Sequence, residues 1–223
     1  MPLRNQVLAT NEVYHVVNRG VASLPIFRSL KDYKRFLDLV NFYRFTDVKL
    51  SFSAFLDLNL GLRSGYLVKL NRESKQTLQI YAYSLMPNHF HFLVKQLEDG
   101  GIKSTFARIQ NAYAKYFNLK NKRSGPLFQS RFKAKWIEKD EILLHVSRYI
   151  HLNPCTSYIV EPLELSNYIW SSYPEYLGLR KPIFANLDLI LKIAGGIDNY
   201  KKFVLNQVDY QRELGKIKHL VLD

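Results

Sequence analysis

The chain contains one cysteine, Cys155, in 223 residues. A single thiol can neither close an intramolecular disulfide nor furnish a thiolate-rich zinc site, so the expectation is a protein of a reducing compartment, the cytoplasm. Long hydrophobic runs are also missing. No uninterrupted apolar stretch approaches the roughly 20 residues that span a bilayer, and the opening Met1-Pro-Leu-Arg-Asn-Gln6 lacks the apolar segment of a secretory signal, so no membrane role is expected. There is no glycine-rich phosphate loop, which argues against a nucleotide cofactor. Internal repeats and low-complexity tracts are absent too. Acidic residues are scarce, with 19 Asp and Glu against 32 Lys and Arg, leaving a formal charge of +13.

That surplus exceeds what solubility requires and points to a polyanionic partner, although a ribosome-associated or merely basic protein would share it. Aromatic residues are plentiful, 15 Tyr and 14 Phe, and many adjoin cations, as in Tyr113-Ala-Lys-Tyr-Phe117 and Phe128-Gln-Ser-Arg-Phe-Lys133. Such interleaving suits base stacking beside phosphate neutralisation, while most of the phenylalanines are expected in the core. The length allows one large domain, or one domain with appendages.

Hydrophobic periodicity outlines an α+β chain. Glu12 to Val17, closed by Asn18-Arg-Gly20, reads as a first strand and turn, and Leu30 to Phe45 as a helix with Ser29 as a possible cap. Residues 46–74 admit either a hairpin or a short helix. Leu78 to Leu85 alternates as a strand, Met86-Pro-Asn88 turns, and the chain continues extended to Val94. A helix over Ser104 to Leu119, a strand over Leu127 to Ile137 and a helix from Glu141, capped by Asp140 and ended by Pro154, complete the main body. After a loop-like stretch, a mostly helical piece from Leu187 to Leu222 is interrupted by Gly195-Gly196. The expected division is 1–176 as a main domain, with 46–74 inserted, and 177–223 as a C-terminal helical extension.

On a strand, alternate side chains share a face, so His89 and His91 can point at one ion while Phe90 faces the core. Alone the pair is a weak signal, since imidazoles also serve as ordinary hydrogen-bonding residues. Tyr149 and Asn153, at i and i+4, project together from one helix face. Spacing leaves open that they are an amphipathic aromatic and a helix-end residue.

Five blocks follow one another in order: Tyr14-His-Val-Val-Asn-Arg-Gly20, Tyr83-Ser-Leu-Met-Pro-Asn-His-Phe-His-Phe-Leu-Val94, Gly125-Pro-Leu-Phe-Gln-Ser-Arg-Phe132, Tyr149-Ile-His-Leu-Asn-Pro154 and Trp170-Ser-Ser-Tyr173. Together they resemble the REP-associated tyrosine transposases of the HUH single-tyrosine superfamily, over roughly Val13 to Tyr176. The resemblance implies a ferredoxin-like antiparallel sheet covered by helices, with His89 and His91 as the histidine pair, Tyr149 as nucleophile and Asn153 as third metal ligand, where relatives often have Gln. It also implies single-stranded or hairpin DNA as substrate, cut through a covalent 5′-phosphotyrosine that leaves a free 3′ hydroxyl, by a monomer or a homodimer.

Two neutral imidazoles and an amide suit Mg²⁺ or Mn²⁺ completed by phosphate oxygens and water. His145, one turn before Tyr149, and His15, on the first strand, are minor candidates for assisting proton transfer. For holding DNA the expected cations are Lys115, Lys120, Lys122, Arg123, Arg131, Lys133 and Lys135, with Arg19 in the turn after the first strand. Two other readings stay open: a non-catalytic hairpin DNA- or RNA-binding regulator derived from a transposase, and a nuclease that uses activated water.

Overall fold

Alternation in Val13–Arg19 (β1) is the mark of a strand with two different faces: Tyr14, Val16 and Asn18 are buried, and the residues between them turn the other way. The structure, a computed structural model, describes residues 7–208. β1 pairs antiparallel with β3 (His89–Gln96) and β4 (Lys133–Ile137), and β3 pairs with β2 (Leu78–Met86), giving the order β2-β3-β1-β4. With α1 (Leu30–Tyr43) between β1 and β2 and α4 (Gly101–Lys120) between β3 and β4, this is the ferredoxin-like α+β topology expected from the sequence.

Each sheet face supports its own core. On one side Tyr14, Val16, Phe90, Phe92 and Val94 meet the inner faces of α1 and α4. Phe90, fully buried, lies 5.1 Å from Phe36 and 6.0 Å from Phe106 between ring centroids. Burying one such ring contributes about 1.5–3 kcal/mol and locks the phase of β3, which fixes the face that His89 and His91 occupy. On the other side Ala82, Leu93 and Ile137 pack with α5 (Asp140–Thr156), the short α6 (Tyr173–Tyr176), α7 (Asp188–Ala194) and α8 (Ile197–Leu205). The outer edge of β2 is covered: Leu85 N–H donates to Trp170 O, Ser172 N–H to Tyr83 O and Asn186 N–H to Ile80 O.

Several boundaries differ from the sequence reading. Residues 46–74 form two helices, α2 (Phe52–Asp57) and α3 (Leu60–Glu73), capped by Ser51 and Asn59, whose side chains accept from Ala54 and Leu62 N–H. α4 starts at Gly101, where a Cβ would lie 2.3 Å from the Thr77 carbonyl oxygen. β4 is shorter than the stretch from Leu127, because Leu127, Phe128 and Phe132 all turn into the core beneath α4 and break the alternation. Ser29 sits at the N-terminus of α1, but its hydroxyl accepts from Lys120 rather than from the helix.

Asp140 is the first residue of α5, not its cap, and Pro154 lies inside the helix instead of ending it. The ring falls in the last turn, where Asn153, Pro154 and Cys155 are all buried, and Ser157 N–H closes the end on Asn153 O. Packing there outweighs the bias against helical geometry before proline. Gly195 and Gly196, both at positive φ, separate α7 from α8 as expected. The helical expectation for 209–222 lies outside the described residues.

Candidate active site

The register across β1 and β3 places Arg19 opposite His89, Val17 opposite His91 and His15 opposite Leu93, so these side chains share the face that α5 covers. The His89 and His91 ring centroids are 5.1 Å apart, and both residues are nearly buried. His89 Nδ1 donates to Asn88 Oδ1 at 2.5 Å; the Asn88 amide is itself oriented because its Nδ2 donates to Ser23 O. An imidazole with its proton on Nδ1 presents a bare Nε2 lone pair, the form a metal binds.

His91 is held in a similar way. Its Nδ1 lies 2.7 Å from His15 Nε2, and the two rings stack with centroids 5.0 Å apart and planes 17° from parallel. With the shared proton on His91, that ring also turns a bare Nε2 outward. Burial, reinforced by the Arg19 charge, lowers the His89 pKa to about 4, and burial together with Lys135 lowers that of His15 to about 4. Both rings are therefore neutral at physiological pH, the form in which His89 could ligate and His15 Nε2 could accept a proton from His91.

Tyr149 arrives from α5. Its ring centroid lies 5.6 Å from His91 and 5.9 Å from His15, edge-on to both, and it is only partly buried. The rotation of α5 that turns Tyr149 this way is set from its opposite side, by Ser147 and His151 two residues before and after. His151 Nδ1 is 2.7 Å from the Tyr200 hydroxyl and its Nε2 is 2.8 Å from Ser172 Oγ, while Ser147 Oγ lies 3.0 Å from the same Tyr200 hydroxyl. Ser172 Oγ in turn accepts from Tyr83 N–H on β2. One buried network thus ties α5 to the sheet and to α8.

Asn153, nearly buried, donates from Nδ2 to the Tyr149 carbonyl at 2.8 Å, so Oδ1 is the amide atom left for a cation. Among the described residues no group of three or more His, Cys, Asp or Glu gathers into a ligand set. A divalent ion here would rest on two imidazoles and neutral or substrate oxygens. The tautomer of His89 fits that arrangement, as does that of His91 when the shared proton lies on its Nδ1, and the donor set suits a site completed by substrate rather than a closed structural one.

His145 does not join this group: its Nδ1 lies 2.8 Å from Arg148 Nη2 and its ring 5.4 Å from Phe203 of α8. The sequence reading ranked it with His15, and only the latter meets Tyr149. Alternation could have found His15, since it shares a strand face with Val17 and Arg19; its approach to His91 depends on a pairing register that the sequence does not show. Asn88, Ser172 and Tyr200 carried no signal of their own beyond the blocks that contain the first two.

The expected DNA-binding cations divide into groups. Lys133 and Lys135 stand opposite Val17 and His15 on β4, and together with Arg19 they form an exposed cationic row on the histidine face. Arg131 is exposed just before that strand. Lys115, Lys122 and Arg123 belong to α4 and the loop after it, on the other side of the sheet, where Arg123 donates to Pro126 O. Lys120 is engaged with fully buried Asp32 at 2.6 Å. Burial alone would raise the Asp32 pKa, but the bonds from Lys120, Arg28 N–H and Tyr116 outweigh it and hold the carboxyl below its ordinary value. Lys120 thus spends its charge on a carboxylate of its own chain while its side chain stays partly exposed.

The site is thus an imidazole pair on a ferredoxin-like sheet, faced by a tyrosine from a covering helix and bordered by a row of cations. Residues 67–153 match the family model for IS200-like transposases, a segment that contains β2, β3, α4, β4 and α5 as far as Asn153. Among solved structures, that of a REP-associated tyrosine transposase bound to a REP hairpin superposes with a TM-score of 0.51 at 18% identity, covering 85% of this chain and 93% of that one. At this identity the likeness is one of fold. No curated protein sequence matches. Over residues 67–153 the chain is thus similar to the IS200-like transposases, and that similarity supports a transposase-type role.

Proposed function

We propose that the chain cuts and rejoins single-stranded DNA through Tyr149. The Tyr149 phenol oxygen attacks a backbone phosphorus, the bond to the 3′ oxygen breaks, the proton leaves the phenol, and the departing 3′ oxygen ends as a hydroxyl. The phosphotyrosine conserves the energy of the broken bond, so attack by a 3′ hydroxyl reverses the step without ATP. A divalent ion, Mg²⁺ or Mn²⁺, held by His89, His91 and Asn153 would polarise the scissile phosphate. His15 keeps His91 in its ligating tautomer. Arg19, Lys133 and Lys135 neutralise flanking phosphates, and DNA that folds into hairpins is the expected substrate. The observation that carries this reading is the approach of the Tyr149 ring to His91, 5.6 Å between centroids, from an element that the His151–Tyr200–Ser172 network holds in place.

Incubation with labelled single-stranded hairpin DNA and Mn²⁺, followed by denaturing electrophoresis, tests the proposal. Wild-type protein should shift the label into a covalent protein band, and Tyr149→Phe should lose that band while retaining hairpin affinity. Cleavage without an adduct, undiminished in Tyr149→Phe, would identify a nuclease using water. Tight binding with neither cleavage nor adduct would identify a regulator.

A further inference from the structure

Arg148, the residue before Tyr149 on α5, is a cation without a counter-charge. It is 9% exposed, its guanidinium carbon lies 4.0 Å from the centre of the Phe203 ring of α8, and among the described residues it forms no salt bridge. Nη1 donates to Phe203 O at 3.4 Å, and Nε has no hydrogen-bond partner among the described residues. A guanidinium stripped of water and unanswered by a carboxylate is costly, and an anion admitted beside it offsets that cost. The way in is past His145, which is exposed. Nη2 donates to His145 Nδ1 at 2.8 Å, so this imidazole carries its proton on Nε2 and offers an N–H to an outside ligand.

The helix sets this pair beside the phenol. At about 100° per residue, His145 lies about 60° from Arg148 and about 40° from Tyr149 around α5, and therefore stands between them. Along the axis it is four residues, about 6 Å, from the tyrosine. Successive phosphates of a nucleic-acid strand are spaced at a similar distance, so a phosphate at the Tyr149 oxygen brings a neighbouring one to His145.

We infer that His145 and Arg148 hold the phosphate next to the scissile one, a reading that rests on the function proposed above. His145 Nε2–H donates to a non-bridging oxygen, and the guanidinium behind the ring balances the charge. The contact fixes where the scissile phosphorus stands relative to the Tyr149 oxygen, so its loss shows in the rate of attack. His145 thus acts as an anchor for the substrate and not as a carrier of the phenolic proton.

Rates of adduct formation on denaturing gels test this with three labelled hairpin substrates. One is unmodified, and in the others a neutral methylphosphonate replaces the linkage immediately 5′ or immediately 3′ of the bond that is cut. With wild-type protein, one of the two replacements should slow the reaction about tenfold or more, the loss expected for a charge-assisted bond. Arg148→Gln and His145→Ala should each slow the unmodified substrate, and in both variants that same replacement should then cost less than about twofold further. A merely structural role leaves the methylphosphonate effect at full size in the variants, and that result overturns the inference. If urea unfolding shows that Arg148→Gln does not fold, His145→Ala, at an exposed position, decides alone. Wild-type protein that forms the Tyr149 adduct equally fast on all three substrates also overturns the inference, and leaves the proposed function intact. Wild-type protein that forms no adduct with the unmodified strand overturns the reading of Tyr149, and this inference with it.

Discussion

At the scale of single residues, two nitrogen atoms matter more than their sequence neighbourhood suggests. His89 is oriented by Asn88 and His91 by His15, so under the proposed function the ligating form of each ring would depend on a partner outside the ligand set. His15→Phe keeps a ring against His91 and Tyr149 but removes the nitrogen that pairs with Nδ1. Loss of such an orienting partner typically costs about 10–100-fold in metal affinity. Titration of Mn²⁺ by electron paramagnetic resonance should show a weakening in that range with the fold unchanged; unchanged affinity would remove His15 from the site. Lys120 presents a different case, a cation expected at the DNA that is paired with a buried carboxylate of its own chain. Lys120→Ala leaves Asp32 with Tyr116, the Arg28 N–H and Ser29 but no cation, and should destabilise the protein by roughly 1–3 kcal/mol in urea unfolding while barely changing DNA affinity.

At the scale of elements, the tyrosine helix is positioned by what lies behind it. α5 carries Tyr149 toward the sheet because Ser147 and His151 bind Tyr200 of α8 on its other side. Tyr200→Phe strips the hydroxyl from both, leaving a buried imidazole nitrogen without its partner at a cost of about 1–3 kcal/mol. The same network makes stability depend on pH. Burial lowers the His151 pKa from 6.5 to about 3, and His15 and His89 shift in the same direction to about 4. Below pH 6.5 the unfolded chain takes up protons that the folded chain refuses, so stability is complete above that pH and falls steadily toward pH 3–4. Urea midpoints measured at pH 7.5 and pH 5 should show the lower value at pH 5; equal midpoints would mean that these rings are solvated.

At the scale of the whole molecule, the surplus of 32 cations over 19 acids does not act as one patch. Arg19, Lys133 and Lys135 lie on the histidine face, Lys115, Lys122 and Arg123 on the other side of the sheet, and Lys120 is paired within the protein. Binding should weaken steeply with salt. Lys133→Ala and Lys135→Ala should each reduce the slope of log affinity against log salt by about 1, whereas Lys120→Ala should leave it unchanged. Equal slopes in all three variants would detach the β4 row from the DNA path.

Local pattern determined a good deal. Alternation marks β1, β2 and β3, and the Gly-Gly break falls between α7 and α8 where the sequence shows it. His89, Phe90 and His91 divide between the two sheet faces as period two requires, and Tyr149 and Asn153 share a helix because they stand one turn apart. Such features depend only on neighbours in the chain. Tertiary structure decided the rest. Residues 46–74 became two helices with a single buried residue in α3, Leu70, so hydrophobic period gave little warning of them. Pro154 stayed inside α5 because the surrounding core holds its last turn. The pairing of His15 with His91, the removal of His145 to α8 and the capture of Lys120 by Asp32 join residues 76, 58 and 88 positions apart. No local propensity encodes contacts of that span, because they exist only once strand register and helix rotation are fixed by burial.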